Sequence, residues 1–269
     1  KYGAPGFDPE TEGTLVGGIT KPYLLEGLNH SSDYAFRVQA VCDDNELSDW
    51  SKEKVFSTLC GANELPFVED FEGVGFPPKC WNIYDLDGGG TQWVVSSAQN
   101  HTPGGSKSAY HQWASGDQDG WLVTPQIQLP EDLDINLSFW SFNLYPGDYG
   151  ENSVLISTGS GDPDDEEFEL LWSPETVTQP WEEIVIPLTD YANEFVYIAF
   201  RYTGDYAHSW FVDDVQVFVP GNVEGYVSEA TSPKNRTPIE GARVFTAHYE
   251  AFTDASGYYK LEGLPAGIY

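Results

Sequence analysis

Between Phe67 and Phe218 the chain repeats one kind of unit, a short run of alternating bulky apolar and polar residues closed by Gly, Pro or Asp. The runs are Trp81-Asn-Ile83, Trp93-Val-Val95, Trp121-Leu-Val123, Leu137 to Phe142, Ser153 to Ser157, Phe168 to Trp172, Trp181 to Ile186, Tyr197 to Tyr202 and Trp210 to Phe218. A period of two sends alternate side chains to opposite faces of a strand, so each run buries one face and offers the other to water or to a second layer. A helix needs an apolar stripe held over several turns, and 27 Gly with 18 Pro leave little room for one. The expected fold is all-β, centred on a two-sheet sandwich of jelly-roll type.

Charge narrows the partners. With 43 acidic and 12 basic side chains the formal charge is −31, so nucleic acid and anionic membrane surfaces are repelled. The 9 Trp, 16 Tyr and 15 Phe separate this chain from acidic disordered sequences, which carry too little apolar surface to bury. A folded domain this acidic relieves its self-repulsion by binding divalent cations, and calcium is the one that the outside of a cell supplies. No run of ~20 apolar residues is present, so no membrane insertion by a helix is expected. The chain begins and ends in what reads as mid-strand, which implies the remaining modules of a longer parent chain on either side.

Three modules are expected. Residues 1–60 alternate through Tyr34, Phe36, Val38 and Ala40, break at an acidic turn, and resume at Val55-Phe56 as a hairpin with a third strand before it. With its Leu25-Glu-Gly-Leu28 turn, Tyr34, and Ser48, Trp50 and Ser51 before the last strand, this segment resembles the back half of a fibronectin type III domain. It is shorter than the ~100 residues of a complete immunoglobulin-like sandwich, so the module is partial. Residues 61–219 hold the jelly roll. Residues 220–269 carry Gly225-x-Val227, Pro238-Ile-x-Gly-Ala-x-Val244, Thr253-Asp-x-x-Gly257-Tyr-Tyr-x-Leu261 and Pro265-Ala-Gly-x-Tyr269. This pattern is similar to a carboxypeptidase regulatory-like domain, a small transthyretin-like sandwich, here also partial. Its Asp254 to Gly257 segment reads as a tight hairpin, and Ile239, Ala242 and Val244 as core.

The middle module carries the more specific resemblance. Asp70-Phe-Glu72, Pro77-Pro78, Trp81, Asp85-Leu-Asp-Gly-Gly-Gly90, Trp93, Trp121-Leu-Val-Thr-Pro125, Ile198-Ala-Phe-Arg201 and Asp213-Asp-Val215 occur in an order that resembles the adhesin domains of bacterial gingipains. The same order is similar to the choice-of-anchor J and MAM-like jelly rolls of secreted Bacteroidetes proteins. The resemblance implies a calcium-binding sandwich that attaches to host proteins or red cells, with calcium carried by Glu72, Asp85, Asp87 and Asp213. Gly89 stands where such adhesins tend to have another Asp.

The residues themselves support that chemistry in part. Calcium takes six to eight oxygens from carboxylates, main-chain carbonyls and water, and an Asp-x-Asp-Gly run supplies two carboxylates and flexible carbonyls. No Glu at the twelfth loop position makes this an EF-hand. The first and last strands of a jelly roll lie side by side, which would bring Glu72 towards Asp213 or Asp214, and adjacent carboxylates repel unless a cation lies between them. A slip of one residue exchanges strand faces, which makes Asp70 and Asp214 the alternative ligands. The acidic run from Gly161 to Glu167 reads as a solvated loop.

Trp113, Tyr145, Tyr149, Tyr206 and Trp210 fall near turns, where exposed rings could stack on sugars or anchor a protein partner. Cys42, Cys60 and Cys80 form an odd set. Opposite ends of a six-residue hairpin lie ~20 Å apart, so Cys42 does not reach Cys60. Two arrangements remain, a Cys60 to Cys80 bridge or three free thiols.

No catalytic set stands out: the five His show no His-Glu-x-x-His pairing and there is no Gly-x-Ser-x-Gly elbow. The expected role is a non-catalytic, calcium-binding, haemagglutinin-like adhesion region of a secreted or cell-surface bacterial protein, whose partner is a host surface protein or glycan. The alternative is a set of carbohydrate-binding or spacer modules attached to a secreted peptidase or glycoside hydrolase.

Overall fold

A computed structural model describes all residues except 43–45, 132, 144–149, 166, 175–177, 233–234, 247–248 and 266–269. Lys1–Gly61 and Ala62–Tyr269 form two compact units. In the first, strands β1 (Tyr2–Gly3), β2 (Asp33–Phe36) and β3 (Lys54–Ser57) make an antiparallel sheet in that order. Tyr34 stacks on Phe56 across it, with centroids 5.9 Å apart. The alternation read from the sequence thus yields the β2–β3 hairpin, and Val41 bridges Leu47 beyond it.

The second unit holds the sandwich. Its strands are β4 (Phe67–Glu69), β5 (Asn82–Asp85), β6 (Val94–Ser96), β7 (Ser108–His111), β8 (Gln118–Val123), β9 (Ile127–Gln128), β10 (Asn136–Asn143), β11 (Gly150–Ser157), β12 (Glu169–Trp172), β13 (Thr178–Pro187), β14 (Phe195–Gly204) and β15 (Trp210–Phe218). One sheet runs β13-β10-β15-β7-β6, with β4 also on β15. The other runs β12-β11-β14-β8-β5, with β9 also on β14. Sequence neighbours repeatedly fall in opposite sheets, so the chain crosses the core at most turns, as a jelly-roll sandwich requires.

The core lies between the sheets. Trp93, Phe139, Phe200, Tyr202 and Trp210 are fully buried there among Leu122, Ile135, Leu137, Ile198 and Val212. Aromatic contacts tie the two layers: Phe200 of β14 meets Phe139 of β10 at 5.3 Å and 83°, and Trp210 of β15 at 6.1 Å. Truncating one such ring leaves a cavity worth about 3–5 kcal/mol. Outside the second sheet Phe168 packs edge-on against Trp121 at 5.3 Å and covers a smaller apolar patch with Val123, Leu155 and Ala199.

After β15 come β16 (Gly221–Tyr226), β17 (Ser228–Ser232), β18 (Asn235–Pro238), β19 (Arg243–Phe245), β20 (Glu250–Phe252) and β21 (Tyr258–Leu264), paired as β16 with β21, β17 with β18 and β19 with β20. The Asp254 turn is tight because its Oδ1 accepts from Ser256 N at 2.8 Å and Tyr258 N at 3.0 Å, with Gly257 at φ +77. The expected core residues are corrected here: Ile239 is 38% exposed and Ala242 and Val244 are only half-buried, while Leu261 and Leu264 are buried. Alternation alone could not choose between the two faces of such short strands.

Candidate functional site

The terminal strands of the sandwich meet as β4 on β15, with Val215 opposite Glu69. This puts Asp70 and the Asp213-Asp214 pair at one end of the same sheet. A regular strand would send Asp213 and Asp214 to opposite faces. Here the pairing of β15 with β10 slips, with Gln216 opposite Ser138 but Asp213 opposite Trp140, and Asp214 takes φ +47. The bulge re-aims the strand so that both carboxylates reach the loop at His101 and Thr102.

Asp213 Oδ2 accepts from His101 N at 2.7 Å and Thr102 N at 3.2 Å. His101 Nδ1 lies 2.6 Å from Asp214 Oδ2, and the His101 ring stacks on Trp140 with centroids 3.5 Å apart. Thr102 Oγ1 sits among three acceptors: Asp214 Oδ1 at 2.8 Å, Asp213 Oδ1 at 3.2 Å and Asp70 O at 3.5 Å. A hydroxyl has one proton and can donate to only one of them. Asp213 Oδ1 also accepts from Asp214 N at 2.9 Å, so the four oxygens that converge here share that amide and one hydroxyl proton, a surplus of lone pairs that a hard cation would satisfy.

The electrostatics agree. Asp213 is fully buried, and burial pushes its carboxyl up to about 6, against the hydrogen bond from His101 and with the charge of Asp214 adding to the rise. Glu69 is also raised, first by burial, opposed by the Phe71 amide that it accepts, and then by Asp70 and Asp213. Negative charge is crowded at this end of the sheet.

Glu72 clasps the far side of the same loop. Its Oε1 accepts from Ser106 N at 2.6 Å, Lys107 N at 2.7 Å and Asn100 Nδ2 at 3.1 Å, and Ser106 chiefly holds its carboxyl below the usual range. Lys107 Nζ donates to the carbonyls of Glu72 and Gly73, each at 3.2 Å. Glu72 and Asp213 thus grip two ends of one loop.

Asp85 and Asp87 lie in the other sheet, in the turn after β5. Asp85 accepts from Gly88 N at 3.1 Å and Gly90 N at 2.8 Å, both glycines at positive φ. Asp87 accepts from Gly89 N and Asp119 N, each at 2.6 Å. Each of the four oxygens already has a main-chain donor, so these carboxylates close the turn. At Gly89 a Cβ would collide with Asp87 Oδ1, so a side chain here would break that closure. The four carboxylates expected together are therefore divided in pairs, and among the described residues no three His, Cys, Asp or Glu side chains form a metal-ligand group. The oxygen cluster instead combines two carboxylates with a hydroxyl and a carbonyl.

Of the expected ligand-contacting aromatics, Trp210 is a core residue, wholly buried, its Nε1 donating to Ser141 Oγ at 3.0 Å. Its place at a strand start suggested a turn, but β15 opens inside the sandwich. Tyr145 and Tyr149 lie outside the described residues. Trp113 is 53% exposed and stands beside Tyr206, 60% exposed. Cys60 and Cys80 are disulfide-bonded, and Cys42 is free and exposed.

The strand order defines a jelly-roll β-sandwich module. Residues 65–217 match the Cleaved Adhesin Domain family, and the chain belongs to that family. Over 178 residues it is 28% identical to Hemagglutinin A of Porphyromonas gingivalis, covering 55% of this chain and 7% of that protein. The chain thus spans under a tenth of the length of the curated relatives it matches. A cleaved adhesin domain of Lys-gingipain from the same organism has 22% identity and a TM-score of 0.46, covering 58% of this chain and 99% of the domain. A xylan-binding domain from Paenibacillus barcinonensis has 13% identity and a TM-score of 0.38, covering 57% and 92%.

Proposed function

We propose that the chain is a calcium-braced adhesion region of a secreted or cell-surface protein, attaching to a host surface protein or glycan. Membership of the adhesin family and a relative named as a haemagglutinin support the adhesive reading. The observation that carries the calcium is the cluster of four oxygens at the bulge, the Thr102 hydroxyl among them, which share only its proton and the Asp214 amide. Asp213, Asp214, Thr102 and the Asp70 carbonyl would hold the ion, all of them the hard oxygen donors that calcium prefers. The bound charge would offset the repulsion between Asp213, Asp214 and Glu69 and fix the 98–107 loop. We read the flanking segments as partial fibronectin type III and carboxypeptidase regulatory-like modules, and assign no catalysis to the chain.

Thermal melting in EDTA and then in calcium tests the site, because an ion bound only by the folded state raises the melting point by mass action. A rise of several degrees is expected, lost in Asp213→Asn and retained in Asp87→Asn. No rise in the wild type would sink the calcium reading, and loss of the response in Asp87→Asn instead would move the site to the glycine turn. Binding of the purified chain to erythrocytes tests adhesion separately.

A further inference from the structure

Two loops at one end of the sandwich, residues 112–117 after β7 and 205–209 before β15, carry Trp113 and Tyr206. Both rings are more than half exposed, and their centroids lie 6.2 Å apart with planes inclined at 31°. The backbones under them are pinned to one another. Tyr206 N donates to Ala114 O at 3.0 Å, Gly116 N to Asp205 Oδ1 at 2.8 Å and Ala114 N to Gln118 Oε1 at 2.7 Å. Ser209 Oγ lies 3.1 Å from the Tyr110 hydroxyl and accepts from Trp113 N at 3.4 Å. Tyr206 is held at φ +54, a conformation that bulky residues avoid.

Nothing in the fold needs these rings in water, yet five hydrogen bonds and a strained residue keep them there. That is a preorganised surface. Two exposed rings fall well short of the ~800 Å² that each partner gives to a whole protein interface. Its charge excludes an anionic ligand: Asp117 and Asp205 stand exposed at the rim of a chain of formal charge −31. A neutral pyranose suits both limits, because one face of the ring is apolar C–H and its rim is hydroxyl.

We propose that Trp113 and Tyr206 form a preformed subsite for a neutral sugar unit of a glycan, the rings taking the apolar face and Gln112 and Asp205 the hydroxyls. This rests on the adhesion reading for its purpose and narrows the ligand to carbohydrate. The test is calorimetry and saturation-transfer NMR on the whole chain, with lactose, N-acetylglucosamine, xylotriose and mannotriose as neutral probes and sialyllactose as the anionic one. At least one neutral probe should bind with a Kd of ~1 mM or tighter, and Trp113→Ala and Tyr206→Asn should each weaken it about tenfold or more. Asn tolerates the positive φ, so melting points should not move; should Trp113→Ala melt early, Trp113→Leu replaces it. The proposal falls if no neutral probe binds, if both variants bind as wild type does, or if sialyllactose is preferred. Cells that adhere equally to wild type and both variants, uncompeted by sugar, would sink this inference and leave adhesion standing; sugar binding without adhesion to any cell would do the reverse.

Discussion

At the residue scale two buried groups titrate against each other. His111 is fully buried, its ring stacked on Tyr202 at 4.1 Å, and burial lowers its pKa to about 4 despite the Gln112 carbonyl and the charges of Asp87 and Asp85. The unfolded imidazole takes a proton near 6.5. His111 therefore contributes stability that is full above 6.5 and is lost as pH falls towards 4, about 3 kcal/mol in all. Asp213 has the opposite sign: its folded value of about 6 lies above its unfolded value of 3.8, so its contribution is full below 3.8 and is lost as pH rises through 6. Its size is also about 3 kcal/mol. In EDTA the two oppose each other across the same window. His111→Phe should make the melting point fall with rising pH more than wild type does, and Asp213→Asn should make it rise more. Melting curves between these limits check this, and wild-type slopes in both variants would refute it.

At the scale of elements, the legible and illegible parts of the sequence separate on physical grounds. Between Trp121 and Phe218 every strand but the two-residue β9 follows from alternation, because both sheets bury one face against a common core. Ser108–His111 does not announce itself: Ser108 and His111 are polar yet fully buried, and only the facing strands reveal why. The Asp213-Asp214 pair was visible as two carboxylates inside an apolar strand, but which one turned inward was not. The bulge turns both, and a bulge depends on the register of β10 and β15, which no local pattern states. Thr102 and His101 were invisible for a related reason, since they join Asp213 from more than a hundred residues away. The bulge itself is testable. Asp214 sits at φ +47, where a Cβ costs about 1 kcal/mol that Gly avoids. Asp214→Gly and Asp214→Ala lose the same carboxylate, so urea unfolding in EDTA should find the Gly variant more stable by about that amount. Equal stabilities would mean that the strand relaxes and that the bulge is not imposed by its surroundings.

At the scale of the whole molecule, a charge of −31 raises the possibility that any cation would stabilise the fold without a site. Diffuse repulsion and a built site respond differently to salt. Exposed charges are screened beyond ~10 Å at 0.1 M and beyond ~3 Å at 1 M, whereas buried groups are screened much less. Asp213 is fully buried and Asp214 partly so, with side chains meeting at one hydroxyl. In EDTA, added NaCl should therefore raise the melting point as the general repulsion fades. Calcium added on top of ~0.5 M NaCl should still raise it further, because the cluster at the bulge lies inside the screening distance. Magnesium at the same concentration should do less, since it demands a tight octahedron and parts reluctantly with its water. If calcium has no effect once NaCl is high, or magnesium matches it throughout, the acidic surface alone explains the response and the cluster at Asp213 holds no ion.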